Sequence, residues 1–371
     1  MAAPGDWEGM EGVLRSLEPA HWRVVVDHAV QLGFAGLFAR NLAWTESSLG
    51  VSVPVVERLA TLRRGQLVQQ LNRKAAARRV ADAFDGAGIP FVAFKGVALA
   101  EEVYGDLSLR SFRDFDVLVP HERIDQAYGV LLDMGYRMPH FGHVRDWVRH
   151  GAHAVGMAHP DGNGVDLHWS VAPDLLDAER IAVVWNACRP AAPGSHLPGL
   201  RLSPEMTLIH LAKHFHSHQY RALKPLVDFY VAARRLGAEV DSDALVATTR
   251  SLRLLPVVEI AIRLCERSFI PGSLPRLLGN RPAGIQARLA AIVVTDRFML
   301  NSAQLPRVTN WLRFLLAAGG AGAAFRNVID LLVPSKLLLT QFFNRPFDAR
   351  MYPAYYWRQL RKVVTLSTKW T

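Results

Sequence analysis

Between residues 7 and 80 apolar positions recur at intervals of three and four. In His21–Asn41 (HWRVVVDHAVQLGFAGLFARN) this spacing predicts a helix with one apolar face. In Val55–Phe84, where Leu59, Leu62, Leu67, Leu71 and Val80 stand among Arg and Gln, it predicts a second, with a turn at Val53-Pro54 between them. Gly86–Pro90 breaks the pattern. From about Gly88 to Trp169 short apolar runs alternate with helical stretches. They predict a strand at Phe91–Phe94, a helix at Val97–Tyr104, a strand at Asp114–Val119, a helix at Glu122–Met134 and a strand around Tyr136–Met138. Two more strands follow near Ala154–Ala158 and Val165–Trp169, joined by the turn residues His159–Gly164. Beyond Val171 helical spacing returns, at Pro204–His218, Lys224–Leu236, Asp243–Leu252, Leu255–Glu266, Ala283–Arg297, Val308–Leu316 and Phe325–Leu332. The fold class expected is α+β: a helical region over 1–87, a compact unit with a small mixed sheet over 88–170, a large helical region over 171–334 and a tail over 335–371.

The chemistry concentrates in Phe91–Val119, FVAFKGVALAEEVYGDLSLRSFRDFDVLV. Strand side chains alternate faces, so Asp114 and Asp116 point one way while Phe115, Val117 and Val119 point into a core. Two adjacent carboxylates repel, and a divalent ion, most often Mg²⁺ on oxygen ligands, makes such a pair tolerable. In Gly164-Val165-Asp166-Leu167-His168-Trp169 a third carboxylate, Asp166, shares a face with His168. Three carboxylates from two strands beside the Lys95-Gly96 turn fit a site for metal-bound triphosphate. Gly96 lets the backbone approach phosphate near the start of a helix, and Lys95 adds a point charge. Arg110 stands between that helix and the acids, placed either to clamp phosphate or to hold Asp114 and Asp116.

The order Lys-Gly, helix, Tyr104, Arg110, Asp114-x-Asp116, Asp166-Leu167-His168-Trp169 resembles the bacterial nucleotidyltransferase family proteins, a branch of the DNA polymerase β-like nucleotidyltransferase superfamily. Many superfamily members carry Gly-Ser where this chain has Lys95-Gly96; Lys-Gly is the form expected in the branch. The resemblance is sharp over about residues 89–170. It implies a small mixed-sheet nucleotidyltransferase core with helical flanks. The implied enzyme moves a nucleoside monophosphate from an NTP, ATP foremost, to an acceptor hydroxyl or phosphate with release of pyrophosphate. Asp114, Asp116 and Asp166 would be catalytic and would hold Mg²⁺ or Mn²⁺, with Asp166 also taking the acceptor's proton. Lys95, Gly96, Arg110 and Tyr104 would bind the nucleotide, and 171–334 would form the acceptor wall or lid. The branch tends to carry a His-bearing helix followed by a helix with an acid such as Asp228. His210, His214 and His218 share one face of such a helix, so His168, His210 and His214 are candidates for supporting or acceptor contacts. One helix rarely supplies three zinc ligands, and no HExxH is present.

Composition adds little beyond this. A formal charge of +10 and a pI near 9.9 favour an anionic partner, and an Arg-rich composition gives the same excess without one. Two distant cysteines, Cys188 and Cys265, and an acidic start without an apolar core point to the cytoplasm. The apolar run Phe314–Phe325 is short of the roughly 20 residues a membrane span needs. The tail interleaves basic and aromatic residues. It suits nucleic acid, a less favoured partner, or peripheral membrane contact, or a helix packed on the core. The rival readings are an RNA-directed transferase and a non-catalytic nucleotide- or partner-binding accessory protein on the same fold.

Overall fold

The computed structural model describes residues 16–43, 53–138, 142–220, 222–282, 284–296, 299, 333, 336–345 and 347–358. The expected helices at 308–316 and 325–332, the run 314–325 and the end of the tail lie outside them.

The first expected helix is two: α1 (Pro19–Gln31) and α2 (Ala35–Ala43). Gly33 adopts φ 77°, and the amides of Gly33 and Phe34 close onto the carbonyls of Val30 and Ala29. This left-handed stop is open to glycine and is silent in a count of apolar spacing. The second, α3 (Val53–Gly86), runs 34 residues. Its C-terminal half buries Ala77, Val80, Ala81 and Phe84.

Strands β1 (Val92–Ala93), β2 (Asp114–Leu118), β3 (Ala154–Ala158) and β4 (Gly164–His168) arise where the alternation placed them, and α4 (Gly96–Glu102) follows the Lys-Gly turn. Helices α5 (Ile124–Asp133) and α6 (Val144–Arg149) connect β2 to β3. The strand expected around Tyr136–Met138 is a single bridge from Arg137 to Ala158. The region read as helical after 170 contains, beside α7 (Ala178–Asn186), two short strands, β5 (Cys188–Pro190) and β6 (Leu200–Leu202). The six strands form one mixed sheet in the order β3-β4-β2-β1-β6-β5. Three-residue strands offer too few alternations to be told from loop by pattern.

Helices α8 (Pro204–Ser217), α9 (Leu223–Leu236), α10 (Ser242–Ser251), α11 (Leu255–Ser268) and α12 (Ile285–Val293) build the C-terminal layer, and α13 (Lys336–Phe343) lies in the tail. Two cores sit on either side of the sheet. Phe115, Val117, Val165 and Leu167 pack with Val80, Phe84, Ile124 and Leu131. Phe94, Leu118 and Leu202 pack with Met206, Phe215, Phe229 and Ile260. The alternation in β2 therefore leaves Asp114 and Asp116 on the side of α8 and α9, at the rim of the second core.

Candidate active site

Strands β2 and β4 are parallel, with Asp116 directly beside Asp166 and Asp114 beside Gly164. The acids expected together are together. Asp114, Asp116, Asp166, Lys95 and Gly96 line one cleft of about 1020 Å³, walled by α3 on one side and by His214, His218 and the start of α9 on the other. Ligating atoms of Asp116, Asp166 and His168 lie within 4.8 Å of one another. Asp114 stands outside that tight group, one strand repeat away. On the other flank of β4, Gly156 faces Asp166, and a Cβ there would come 3.1 Å from Asp166 Oδ1.

The turn is built for close approach. Gly96 has φ 31°, and a Cβ on it would lie 2.9 Å from the Asp114 carbonyl and 3.4 Å from Asp116 Oδ2. Lys95 itself is held at φ 43°, a conformation costly for a residue with a side chain. That backbone carries its ammonium to Asp116, Nζ to Oδ1 at 2.5 Å.

The carboxylates titrate apart. Burial opposes the charge of Asp116, but the Lys95 ammonium and His168 hold its carboxyl well below the usual range. Asp166 is pushed up to about 7 by burial and then by Asp114 and Asp116. Burial and Asp116 also raise Asp114. His168 is buried, lowered by burial, and its Nε2 lies 3.4 Å from Asp116 Oδ1 without hydrogen-bond geometry. Neither of its ring nitrogens has a hydrogen-bond partner among the described residues. One acid held ionised by an ammonium, two acids pushed toward protonation and an imidazole whose nitrogens make no hydrogen bond among the described residues form a donor set that fits a divalent cation.

Arg110 lines the same cleft, but it and Tyr104 pair with another acid, Asp228, rather than with the three. Arg110 pairs bidentately with Asp228 of α9, Nε–Oδ1 and Nη2–Oδ2 both at 2.9 Å, and its Nη1 donates to the Gly96 carbonyl at 3.0 Å. The Tyr104 hydroxyl donates to Asp228 Oδ1 at 2.7 Å. Of the two roles expected for Arg110, holding Asp114 and Asp116 is not what its contacts do: it ties the Gly96 turn to Asp228 of α9. Asp228 was legible only as an acid on a later helix; its pairing with Arg110 over 118 residues has no local signal.

The histidines divide. His214 and His218 line the cleft. His210 is buried edge-on against Phe94, with ring centroids 5.0 Å apart and no hydrogen-bond partner among the described residues for either nitrogen. Burial, chiefly, lowers all three, His214 to about 3, so they are neutral at pH 7. Among the cleft residues that sequence reasoning missed are Gln70 and Arg73 on α3, Arg113 just before β2, and Lys224 at the start of α9. Gln70 sits in a polar stretch of a long helix yet is fully buried, which periodicity does not reveal.

Such a site on such a sheet belongs to the nucleotidyltransferase class. The chain is a member of the family described as uncharacterised nucleotidyltransferase, whose model matches residues 18–269. Among solved structures it is similar to the antibiotic-resistance factor ANT(2'')-Ia in solution, at 18% identity over 50% of this chain and 90% of that one, TM-score 0.33. The same factor in complex with adenylyl-2''-tobramycin matches at 18% identity over 49% and 97%, TM-score 0.36. A tRNA-processing enzyme matches at 11% identity over 73% and 77%, TM-score 0.28. These likenesses are remote, and the reading of the site does not rest on them. None of the curated proteins compared matches the chain. Among the described residues no helix is long and apolar enough to cross a membrane.

Proposed function

We propose that this protein transfers a nucleoside monophosphate from an NTP to an acceptor hydroxyl or phosphate, releasing pyrophosphate. One observation carries the reading: Asp114, Asp116 and Asp166 converge in a single cleft beside a glycine turn packed closely against the first two acids. A divalent ion, Mg²⁺ or Mn²⁺, held by Asp116 and Asp166 with Asp114 or His168 completing the set, would supply Lewis acidity and neutralise phosphate charge. The Gly96 turn, braced by Arg110, fixes the α-phosphate within reach of the acids. Asp166 accepts the proton as the acceptor oxygen forms its bond to the α-phosphorus. The bond from that phosphorus to the bridging oxygen breaks, and pyrophosphate leaves with the electron pair. Lys95 keeps Asp116 ionised until the nucleotide arrives. Positioning and charge neutralisation thus carry the catalysis.

Label transfer tests this. Protein incubated with α-phosphate-labelled NTP, Mn²⁺ or Mg²⁺ and a cell extract as acceptor pool should yield a labelled product and pyrophosphate. Asp166→Asn should reduce both at least about a hundredfold, the scale of a lost acid–base group. Equal labelling by wild type and Asp166→Asn would defeat the reading.

A further inference from the structure

The expected phosphate cations are occupied: Lys95 is on Asp116 and Arg110 on Asp228. An NTP brings about four negative charges at its triphosphate, and the pairs just named leave little to meet them. Three other cations line the same cleft: Arg73 of α3, Arg113 ahead of β2 and Lys224 of α9. None has a carboxylate partner among the described residues. Arg73 donates to the Phe112 carbonyl at 2.7 Å, and Lys224 to the carbonyl and hydroxyl of Ser111. They crowd one another: after burial, the Arg113 charge lowers Arg73, and burial, then Arg110, lead the causes that lower Lys224 to about 8. Asp114 offsets part of this repulsion for Arg73 and, with Asp228, for Lys224, yet neither acid forms an ion pair with them among the described residues, and an anion joining the three would relieve the rest. A second observation points to a ligand. Gln70, three residues before Arg73 on α3, is 0% exposed and lines this cleft. Its Oε1 accepts from the Phe112 amide, while its Nε2 has no partner among the described residues, a buried donor left over.

Building on the nucleotidyl-transfer reading, we infer that Arg73, Arg113 and Lys224, with the Gln70 amide, form the subsite for the β- and γ-phosphates of the NTP. A neutral acceptor hydroxyl has no use for three cations. A polyphosphate, with several charges spaced along one chain, matches cations drawn from three separate elements. Arginine supplies forked donors to phosphate oxygens, and Lys224 a single point charge.

The probe is inorganic tripolyphosphate, measured by calorimetry on the full chain beside ATP and AMP. Wild type should bind tripolyphosphate and ATP. The double variant Arg73→Gln, Arg113→Gln should lose at least about tenfold in affinity for both, from two charged hydrogen-bonding groups, and keep its affinity for AMP. Arg73→Lys, Arg113→Lys should recover part of the loss. A control, Arg250→Gln, Arg253→Gln, removes the same charge from exposed positions away from the cleft and should change nothing. Equal binding of tripolyphosphate by wild type and double variant, both folded by circular dichroism, overturns the subsite while leaving nucleotidyl transfer standing. Equal loss of AMP and tripolyphosphate overturns it too, since the residues would then shape the whole cleft. Failure of wild type to bind ATP, with or without metal, removes the underlying reading instead.

Discussion

At the scale of single residues, the site works because small changes in atom count decide which groups approach. Gly96 has neither the backbone freedom nor the space for a side chain, with the Asp114 carbonyl 2.9 Å from where a Cβ would stand. Gly96→Ala should therefore cost about 1–2 kcal/mol in urea unfolding from the backbone conformation alone. It should also weaken nucleotide binding, because the carbonyl it displaces belongs to an acid of the site. Asp166 makes a prediction of opposite sign. Its folded pKa near 7 lies above the ordinary carboxyl value, so the folded state binds more protons than the unfolded state between about pH 4 and 7. The resulting penalty is absent below that window, grows as pH rises through it and is complete above 7, at roughly 4 kcal/mol. Without divalent ion, Asp166→Asn should raise the melting temperature at pH 8 and change it little at pH 4. Mn²⁺ should stabilise wild type more at pH 8 than at pH 5.5 and leave the variant almost unmoved. These acids were legible in the sequence because strand alternation fixes their face. The Lys95–Asp116 contact was not: it depends on a left-handed lysine, and no residue count announces one.

At the scale of elements, α9 is tied to the turn by one buried group. Asp228 receives Arg110 through two bonds and Tyr104 through a third, and Arg110 in turn holds the Gly96 carbonyl. Asp228→Asn would leave Arg110 buried with an uncompensated charge, a loss of about 3–5 kcal/mol by chemical denaturation. Burial works against the Asp228 charge, and Arg110 overrides it, holding the carboxyl below its usual range. The stability that this pair contributes is present above the unfolded carboxyl pKa and is lost as pH falls through the lower folded one. Acid unfolding of wild type, and its absence as a separate component in Asp228→Asn, would show this. Periodicity located most helices and the strands that carry acids, because each has several repeats or a clear alternation. It merged α1 with α2, whose short junction turns on Gly33, and passed over β5 and β6, a short pair joined to the sheet only where β6 meets the distant β1.

At the scale of the molecule, the two cores and the sheet between them bring together a cleft whose walls come from α3, β2, β4 and α9, separated by up to about half the chain. The acids line it together with Arg73, Arg113 and Lys224, which have no carboxylate partner among the described residues. A cleft lined by charges of both signs suits a metal-bound polyphosphate better than either ion alone. On the proposed function this cleft binds an NTP through its acids and a divalent ion. Calorimetric titration of ATP into wild type and Asp116→Asn, each with and without Mn²⁺, tests it most directly. Mn²⁺ should tighten ATP binding to wild type at least about tenfold, and the tightening should vanish in Asp116→Asn. Binding that is equal in both proteins, or indifferent to the metal, would contradict it.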